Sequence, residues 1–296
     1  MAADLPGLLV VGGGYCGQAV AHHWKGEGQR AWLTSRDPAR AAAYEAEGLW
    51  ALTYRFDTSD ALQTRVIDPT LGAALLTFPP SEGLRHERDA LAWVAAQGIQ
   101  RALVLSSTSV YGASGGAEVD DDTPAAPTDE RGVRRLASEE AMREAADACG
   151  VSLCVLRLTG IYGPGRSYRA RMAAGQVQLV DEGAMWTNRI FVDDVVSALR
   201  HLLARPRWER PHYVVSDGHP FRVRELVAYV CERWSLPWPP SVALETIPPA
   251  RRAFWEGDRR VIPRALLAEG WSPLFSDFRA GYEEAWRREE VGAARP

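Results

Sequence analysis

A glycine-rich turn near the N-terminus carries the strongest chemical signal in the sequence. Gly12, Gly14 and Gly17 form a G-x-G-x-x-G pattern that follows the apolar run Leu8–Val11 and opens a helical pattern. Glycine suits such a turn because the backbone must bend tightly and let a pyrophosphate approach its amide hydrogens, while the dipole of the following helix favours negative charge. Glycine turns also occur for steric reasons alone, so the position between a strand and a helix is what predicts a dinucleotide site.

The end of the next predicted strand indicates which dinucleotide the site takes. An NAD site usually presents Asp or Glu to the ribose 2′-hydroxyl at this point, but the sequence has Thr34-Ser35-Arg36. A hydroxyl pair beside a guanidinium suits a 2′-phosphate, because arginine forms charge-assisted hydrogen bonds with phosphate oxygens. We therefore expect NADP(H) rather than NAD(H); the alternative is that Arg36 is a solvated loop residue.

Alternating strands and helices must hold these residues in place. Short apolar runs predict buried strands, and the stretches between most of them have helical periodicity. The predicted strands are Leu8–Val11, Ala31–Thr34, Ala51–Tyr54, Ala73–Phe78, Ala102–Ser106 and Leu153–Leu158, and the predicted helices are Gly17–Lys25, Arg85–Gln97 and Arg131–Cys149. This alternation predicts an α/β fold with a parallel sheet covered on both faces, of which the Rossmann-type doubly wound sheet is the commonest form.

Beyond Leu158 the alternation becomes less regular. The predicted elements there are a strand end and helix over Phe191–Ala204, a strand at His212–Ser216, a helix at Val223–Trp234 and a tail helix at Phe275–Arg288. Asp193 and Asp194 fall at the start of one of these helices. Capping and the helix dipole explain such acids better than metal ligation does, so we expect no metal site.

Composition excludes several classes of protein. The 296 residues carry a net charge of −4, and their 34 basic and 38 acidic residues are scattered, so we expect neither nucleic acid nor a membrane surface as a partner. The N-terminus has no basic segment followed by an apolar core, which argues against a signal peptide or a membrane span. The four cysteines have no C-x-x-C spacing, so we expect reduced thiols and a cytoplasmic protein.

Three motifs downstream of the glycine turn resemble those of a known family. Val104–Gly112 (VLSSTSVYG), Leu156–Gly165 (LRLTGIYGPG) and Ile190–Val195 (IFVDDV) occur in this order, and together they resemble the extended short-chain dehydrogenase/reductases, the NAD-dependent epimerase/dehydratase family. The resemblance continues through Tyr213–Gly218 to Gly270-Trp271. It implies a Rossmann domain over residues 1–160 and 189–218, a smaller substrate-binding lobe over 161–188 and 219–296, and a site between them.

The resemblance implies catalytic residues that this sequence has only in part. Ser107 matches the family's serine or threonine, which holds the oxygen of the substrate's carbonyl or alcohol. The family's acid/base is a tyrosine four residues before a lysine that lowers its pKa, but Lys25 is the only lysine in this sequence and no Tyr-x-x-x-Lys exists. Alignment on Glu139 puts Arg131 in the place of the tyrosine and Arg135 in that of the lysine. Arg131 cannot shuttle a proton, because a guanidinium keeps its proton at ordinary pH.

Two roles remain open for this arginine pair. Four residues apart on a helix, Arg131 and Arg135 share a face and could hold a substrate carboxylate or phosphate between them. Alternatively, Arg135 forms a surface pair with Glu139 while Arg131 lies in solvent. Tyr162 is a further candidate acid/base near the expected cleft. The predicted catalytic residues are therefore Ser107, Arg131, Arg135 and Tyr162.

The predicted cofactor site extends beyond the glycine turn. Two prolines end the fourth predicted strand, and a backbone that lies along a dinucleotide tolerates them. The complete set of predicted cofactor-binding residues is Gly12, Gly14, Tyr15, Cys16, Gly17, Ser35, Arg36, Asp57, Phe78, Pro79, Pro80, Ser106, Arg135 and Thr159. In the second lobe, Arg166, Arg169, Arg171 and Arg189 fall where the family holds its substrate, although arginine is also this chain's default basic residue.

Two functions are compatible with these observations. The first, which we expect, is an NAD(P)-dependent oxidoreductase or epimerase with nonstandard acid/base residues, acting on a small carbonyl or alcohol or on an anionic, nucleotide-sugar-like substrate. The second is a noncatalytic NADP(H)-binding sensor or regulatory protein, which the missing Tyr-x-x-x-Lys favours. The helices Arg85–Gln97 and Arg131–Cys149 could pair two copies into a homodimer, but their apolar faces could equally pack on the sheet.

Overall fold

The computed structural model describes residues 5–56 and 66–293. The strands are β1 (Gly7–Val11), β2 (Ala31–Ser35), β3 (Trp50–Thr53), β4 (Leu71–Leu76), β5 (Arg101–Ser107), β6 (Glu118–Val119), β7 (Ser152–Leu158), β8 (Gly160–Tyr162), β9 (Trp186–Thr187), β10 (Arg189–Phe191), β11 (His212–Val215), β12 (Phe221–Arg222) and β13 (Arg260–Val261). The helices are α1 (Tyr15–Gly26), α2 (Pro38–Ala46), α3 (Arg85–Ala96), α4 (Glu130–Cys149), α5 (Tyr168–Ala173), α6 (Val192–Leu203), α7 (Val223–Trp234), α8 (Pro249–Glu256), α9 (Arg264–Ala268) and α10 (Phe278–Ala293).

A seven-stranded sheet with the order β11–β7–β5–β4–β1–β2–β3 forms the centre of the fold. The pairs of β1 with β2 and β4, of β2 with β3 and of β4 with β5 are all parallel. Continuous apolar runs form these strands because helices cover both faces: Leu8, Leu9, Val10 and Leu75 are fully buried. The chain crosses from one side of β1 to the other after β3, which is the Rossmann arrangement, so the predicted fold class is confirmed.

The chain forms two compact units. The first contains the chain up to Ser107 together with Val133–Arg157 and Val196–Tyr213, and the second contains Thr108–Gly132, Leu158–Val195 and the chain from Val214 onward. The predicted domain boundaries differ from these units, since they assign residues 108–132, 158–160, 189–195 and 214–218 to the cofactor domain. The functional boundaries therefore stay a prediction.

Most predicted elements are present, and the largest difference lies in the tail. The tail helix begins at Phe278 rather than Phe275, because the backbone amides of Leu274 and Phe275 donate to the carboxylate of Asp194 and hold this segment as a loop. The sequence analysis also missed helix α2, although Asp37 is a regular N-cap whose carboxylate accepts a hydrogen bond from the Ala39 amide.

Two further properties are the state of the cysteines and the length and polarity of the helices. Cys16, Cys149, Cys154 and Cys231 form no disulfide. Among the residues whose structure is described, the helices are all too short or too polar to span a bilayer.

Candidate functional site

The carboxyl edge of the central sheet brings the predicted cofactor residues together. Strands β1, β2, β4 and β5 belong to the first unit and are parallel neighbours, so their carboxyl ends lie along the same edge. The glycine turn follows β1, Ser35 ends β2, Thr77 follows β4 and Ser107 ends β5. Ligands of open α/β sheets bind outside the carboxyl ends of the strands, next to the point where the strand order reverses. The structure therefore brings the glycine turn, Ser35 and Ser107 to this edge together with Thr77, which the sequence analysis did not single out.

The backbone of the glycine turn is tied to the two neighbouring strands. The Gly12 amide donates to Thr34 Oγ1 at 2.9 Å, and the Gly12 carbonyl accepts a hydrogen bond from Thr77 Oγ1 at 2.7 Å. Gly12 has a φ of +117°, which an L-residue with a side chain rarely adopts. These bonds fix the turn between the ends of β2 and β4, so it is rigid before any ligand binds.

Close packing explains why some of these positions lack a side chain, and open space distinguishes Gly14. A Cβ on Gly17 would lie 2.2 Å from the Gly12 carbonyl oxygen, and one on Gly13 would lie 2.7 Å from the Tyr44 ring. The Tyr44 hydroxyl donates to the Gly13 carbonyl at 2.6 Å. In contrast, a Cβ on Gly14 would meet no atom within 4 Å. Packing thus requires glycine at positions 13 and 17, whereas Gly14 borders open space.

Helix α1 begins at this open space without a side-chain cap. Gly14 is its N-cap, and the first turn contains no acidic residue. Tyr15 and Cys16 are its first two residues, the former half-buried and the latter buried. The first amides of a helix lack partners within the helix, and its dipole places partial positive charge there. An uncapped start beside an open glycine is the arrangement that binds a diphosphate.

The turn after β2 leaves one guanidinium open. Arg36 is exposed, and its guanidinium forms no hydrogen bond or ion pair with any residue that the structure describes. The Asp37 amide donates to Ser35 Oγ at 3.1 Å, and the Asp37 carboxylate caps α2. The only acid in this turn is therefore engaged with the backbone, and Arg36 is free to meet a phosphate. Asp57, another predicted contact, lies outside the described residues.

A buried carboxylate holds the loop after β4. Glu87 on α3 is 0% exposed, and its Oε1 accepts hydrogen bonds from the Ser81 amide at 2.8 Å and from Ser138 Oγ at 2.9 Å; its Oε2 accepts one from Ser81 Oγ. Burial raises the pKa of Glu87, but the hydrogen bonds outweigh burial and the net pKa is lowered. The predicted contacts Phe78, Pro79 and Pro80 belong to this loop, so Glu87 fixes the segment that carries them.

A second buried carboxylate holds the end of β5. Glu139 is 1% exposed and accepts a hydrogen bond from Ser106 Oγ. The Arg157 guanidinium donates to Glu139 Oε2 from Nη2 at 2.9 Å and from Nε at 3.2 Å. The alternative of an Arg135–Glu139 pair at the surface is therefore wrong, because Glu139 is buried. Since the Ser106 hydroxyl is engaged and successive strand residues face opposite sides, the half-buried Ser107 faces away from this cluster.

The other predicted polar contacts lie further from the glycine turn in sequence. Arg131 and Arg135 are one helical turn apart on α4, the former exposed and the latter half-buried. Thr159 is buried in the second unit, and its amide and hydroxyl both donate to the Val215 carbonyl, at 3.1 Å and 3.4 Å. Thr159 thus has a local partner for its hydroxyl, and its predicted contact with a cofactor stays a prediction.

Tyr162 lies in the core of the second unit. It is 2% exposed, and its ring stacks on Tyr282 with centroids 4.9 Å apart. Its hydroxyl is buried, has no hydrogen-bond partner among the described residues, and lies 2.0 Å from where a Cβ of Gly281 would be. Burial, reinforced by the charge of Asp217, raises the pKa of Tyr162 well above its usual value. In place of the catalytic role predicted from sequence, we propose that Tyr162 packs the core.

The predicted substrate-binding arginines of the second unit fall into two groups. Arg169 is used by the fold, since its guanidinium lies 3.4 Å from the centre of the Trp286 ring and 3.8 Å from Glu289. Arg166 donates from Nε to the Ile161 carbonyl at 3.1 Å, and Arg171 lies exposed over the Tyr168 ring. Arg189 forms no ion pair or side-chain hydrogen bond within the described part of the chain. Burial raises the pKa of Asp217 and the charge of Arg189 nevertheless opposes this effect, so Arg189 differs from the other three arginines by the lack of a close contact and not by the lack of any interaction.

The acids at the start of α6 have structural partners. Asp194 is 0% exposed and accepts hydrogen bonds from the Leu274 and Phe275 amides, and burial raises its pKa to about 6. Asp193 forms an ion pair with Arg288 at 2.6 Å. Both carboxylates fasten the C-terminal segment to α6, a role that the sequence analysis did not foresee.

Residues 81–216 match the model of the NAD dependent epimerase/dehydratase family. The 2′-dehydrokanamycin reductase of Streptomyces kanamyceticus is 33% identical over 158 residues, which are 49% of this chain and 45% of that relative, so the match spans less than half of the relative's length. A functionally unknown conserved protein from Silicibacter pomeroyi DSS has a TM-score of 0.81 and 29% identity over 96% of this chain and 99% of its own. MoeE5 in complex with UDP-glucose and NAD has a TM-score of 0.75 and 22% identity over 96% of this chain and 99% of its own.

Proposed function

We propose that this chain, whose residues 81–216 match the model of the NAD dependent epimerase/dehydratase family, is an NADP(H)-dependent oxidoreductase or epimerase that acts on an anionic, nucleotide-sugar-like substrate. The observation that carries the proposal is the glycine turn, which is pinned to β2 and β4 and opens at Gly14 onto the uncapped start of α1. The name of the 2′-dehydrokanamycin reductase and the UDP-glucose and NAD bound by MoeE5 support nicotinamide chemistry on a sugar-like substrate, whereas the preference for NADP(H) rests on Arg36 alone.

The cofactor would lie along the carboxyl edge of the first unit. The amides at the start of α1 would hold its diphosphate. The loop that Glu87 fixes, with Phe78, Pro79 and Pro80, would contact the dinucleotide. Arg36 would bind the 2′-phosphate of NADP(H), because its guanidinium has no partner among the described residues and Asp37 is engaged in capping. A nicotinamide bound at this edge would supply hydride transfer at its C4 atom.

Each unit, taken by itself, offers one candidate substrate-binding group. Ser107 ends β5 at the same edge as the glycine turn, and its hydroxyl would hold the carbonyl or alcohol oxygen that reacts. Arg189 would bind an anionic ligand group, since its guanidinium forms no hydrogen bond or ion pair within the described residues, although its charge also acts on the buried Asp217.

Proton transfer must use groups other than the usual tyrosine and lysine. Lys25 is the only lysine in the sequence, and its ammonium donates to the Glu47 carbonyl at 2.6 Å, where it stabilises the end of α2. We infer that Ser107 orients the reacting oxygen and that water carries the proton. The missing Tyr-x-x-x-Lys pair also favours the second candidate, a cofactor-binding sensor without turnover.

A turnover assay separates the two candidates. NADPH absorbance would be followed with a panel of carbonyl compounds and nucleotide sugars, and with Ser107→Ala as the paired variant. We expect NADPH oxidation with at least one substrate and its loss in Ser107→Ala, without a change in NADPH affinity. Tight NADPH binding with no oxidation on any substrate would instead identify a sensor.

Assembly and location extend the proposal. The half-exposed Val133 on α4 offers apolar surface that a second copy could cover, and we propose a homodimer through α3 and α4. Sedimentation of a single monomeric species at micromolar concentration would contradict it. The four disulfide-free cysteines suit a reducing compartment, so we also propose the cytoplasm, where NADPH is available.

A further inference from the structure

Arg259 of the second unit is a partly buried cation without a carboxylate partner. Its Nε donates to the Gly257 carbonyl at 3.1 Å, and its Nη1 donates to the Thr108 carbonyl. It forms no ion pair with any residue of the described chain. Burial lowers the pKa of Arg259, and the charge of Asp129 opposes this effect without making contact. Asp129 is itself engaged, since it accepts a hydrogen bond from the Gly132 amide at 2.9 Å.

The backbone around Arg259 is held firmly in place. Asn188 donates from Nδ2 to the Arg259 carbonyl at 2.8 Å, and its Oδ1 accepts from the Val261 amide at 2.7 Å. Strand β13 pairs with β6 directly after Arg259, and the Asp258 carbonyl accepts a hydrogen bond from Ser114 Oγ at 3.0 Å. The guanidinium is therefore preorganised rather than a mobile surface charge.

Some N–H groups of the Arg259 guanidinium have no hydrogen-bond acceptor among the described residues. Of its five N–H groups, the two bonds above use one on Nε and one on Nη1. The remaining N–H groups belong to Nη1 and Nη2, which form the planar edge that matches a carboxylate in a bidentate pair. Other arginines of this unit show the usual arrangement: Arg264 pairs with Glu118 and Asp120, and Arg288 pairs with Asp193. Arg259 lacks such a partner, although partial burial makes an unpaired charge more costly.

We propose that Arg259 binds a carboxylate of the substrate. The inference rests on the proposed function, and it adds that the substrate carries a negative charge apart from its phosphates. Thr108, whose carbonyl orients the guanidinium, directly follows Ser107 in the chain. A carboxylate at Arg259 would therefore be bound beside the segment that directly follows β5.

Two nucleotide sugars that differ by one carboxylate test this proposal. Isothermal titration calorimetry would compare UDP-glucuronic acid with UDP-glucose on the NADPH-loaded wild type, Arg259→Gln and the control Arg264→Gln, an exposed arginine one turn beyond β13. We expect the wild type and the control to bind the acid about tenfold or more tightly than the neutral sugar, as the loss of one charge-assisted pair implies. In Arg259→Gln this preference should disappear while affinity for UDP-glucose stays the same.

Each other outcome contradicts the proposal in a different way. Equal affinity of the wild type for both sugars, binding of neither sugar, or a preference that persists in Arg259→Gln would overturn it. Equal weakening of both sugars in Arg259→Gln would assign Arg259 to the phosphates instead. If Arg259→Gln does not fold, Arg259→Lys keeps the charge without the planar edge and should reduce the preference for the acid; an unchanged preference would overturn the proposal. A failure to bind NADPH in a separate titration would contradict the proposed function alone.

Discussion

The glycine turn of the first unit and the arginines of the second unit use polar groups in opposite ways. In the turn, Thr34, Thr77 and Tyr44 satisfy backbone groups of Gly12 and Gly13, and what stays open is a helix start and an empty space beside Gly14. In the second unit, Arg189 and Arg259 form no ion pair in direct contact with a described residue, although the charges of Asp217 and Asp129 act on them. Under the proposed function, the first region would recognise a cofactor through backbone amides, and the second would recognise a substrate through side-chain charge.

The buried cluster behind β5 should show the largest effect on stability. Arg157→Ala removes the close ion pair of the buried Glu139 and leaves it only the longer contact with Arg143 at 3.8 Å, so we expect a loss of about 3 kcal/mol in the free energy of unfolding. Arg264→Ala removes an exposed pair and should cost less than about 1 kcal/mol. Urea unfolding measures both. An equally small loss in the two variants would mean that the pair of Glu139 and Arg157 does not stabilise the fold.

The open space beside Gly14 should show the largest effect on cofactor binding. Gly14→Ala adds a methyl group that meets no protein atom but would displace a phosphate from the helix start. Loss of one or two hydrogen bonds to a charged group weakens NADPH binding roughly 10- to 100-fold. Gly26→Ala is the matched control, since it lies in the same helix and its added Cβ also meets nothing within 4 Å. NADPH fluorescence titration with equal affinities in both variants would disprove the site.

Arg36 should have a smaller effect that is confined to one cofactor. Arg36→Ala removes the side chain proposed to bind the 2′-phosphate, so NADPH should bind roughly tenfold more weakly. NADH lacks that phosphate and should bind as before. If the wild type binds both cofactors equally well, the preference for NADP(H) is wrong, whereas the proposed diphosphate site is unaffected.

Substitutions of two tyrosines, one in each unit, should have the smallest effects on stability. Tyr162→Phe removes a hydroxyl that has no partner among the described residues, so the free energy of unfolding should change by less than about 0.5 kcal/mol. Tyr44→Phe removes the hydrogen bond to Gly13 and should cost about 1 kcal/mol. Thermal unfolding measures both variants. A loss of turnover in Tyr162→Phe at unchanged stability would return Tyr162 to the catalytic residues.

Short-range spacing explains what the sequence could predict. The order of strands and helices and the glycine turn depend on residues within a few positions of each other, and their positions agree with the structure. The features that the sequence did not predict are contacts between residues distant in sequence. Glu139 meets Arg157 only because α4 packs beside β5 and β7, and Arg259 meets Thr108 across 151 positions. The sequence shows that Tyr162 is a tyrosine near a motif, but only packing shows that its hydroxyl is buried.

Calorimetric titration of the wild-type protein with NADPH and NADH tests the central claim most directly. The glycine turn and Arg36 predict saturable binding of one NADPH per chain, with weaker binding of NADH. The absence of heat with either dinucleotide would contradict the account, because a rigid, uncapped and open helix start at the carboxyl edge would then hold no cofactor.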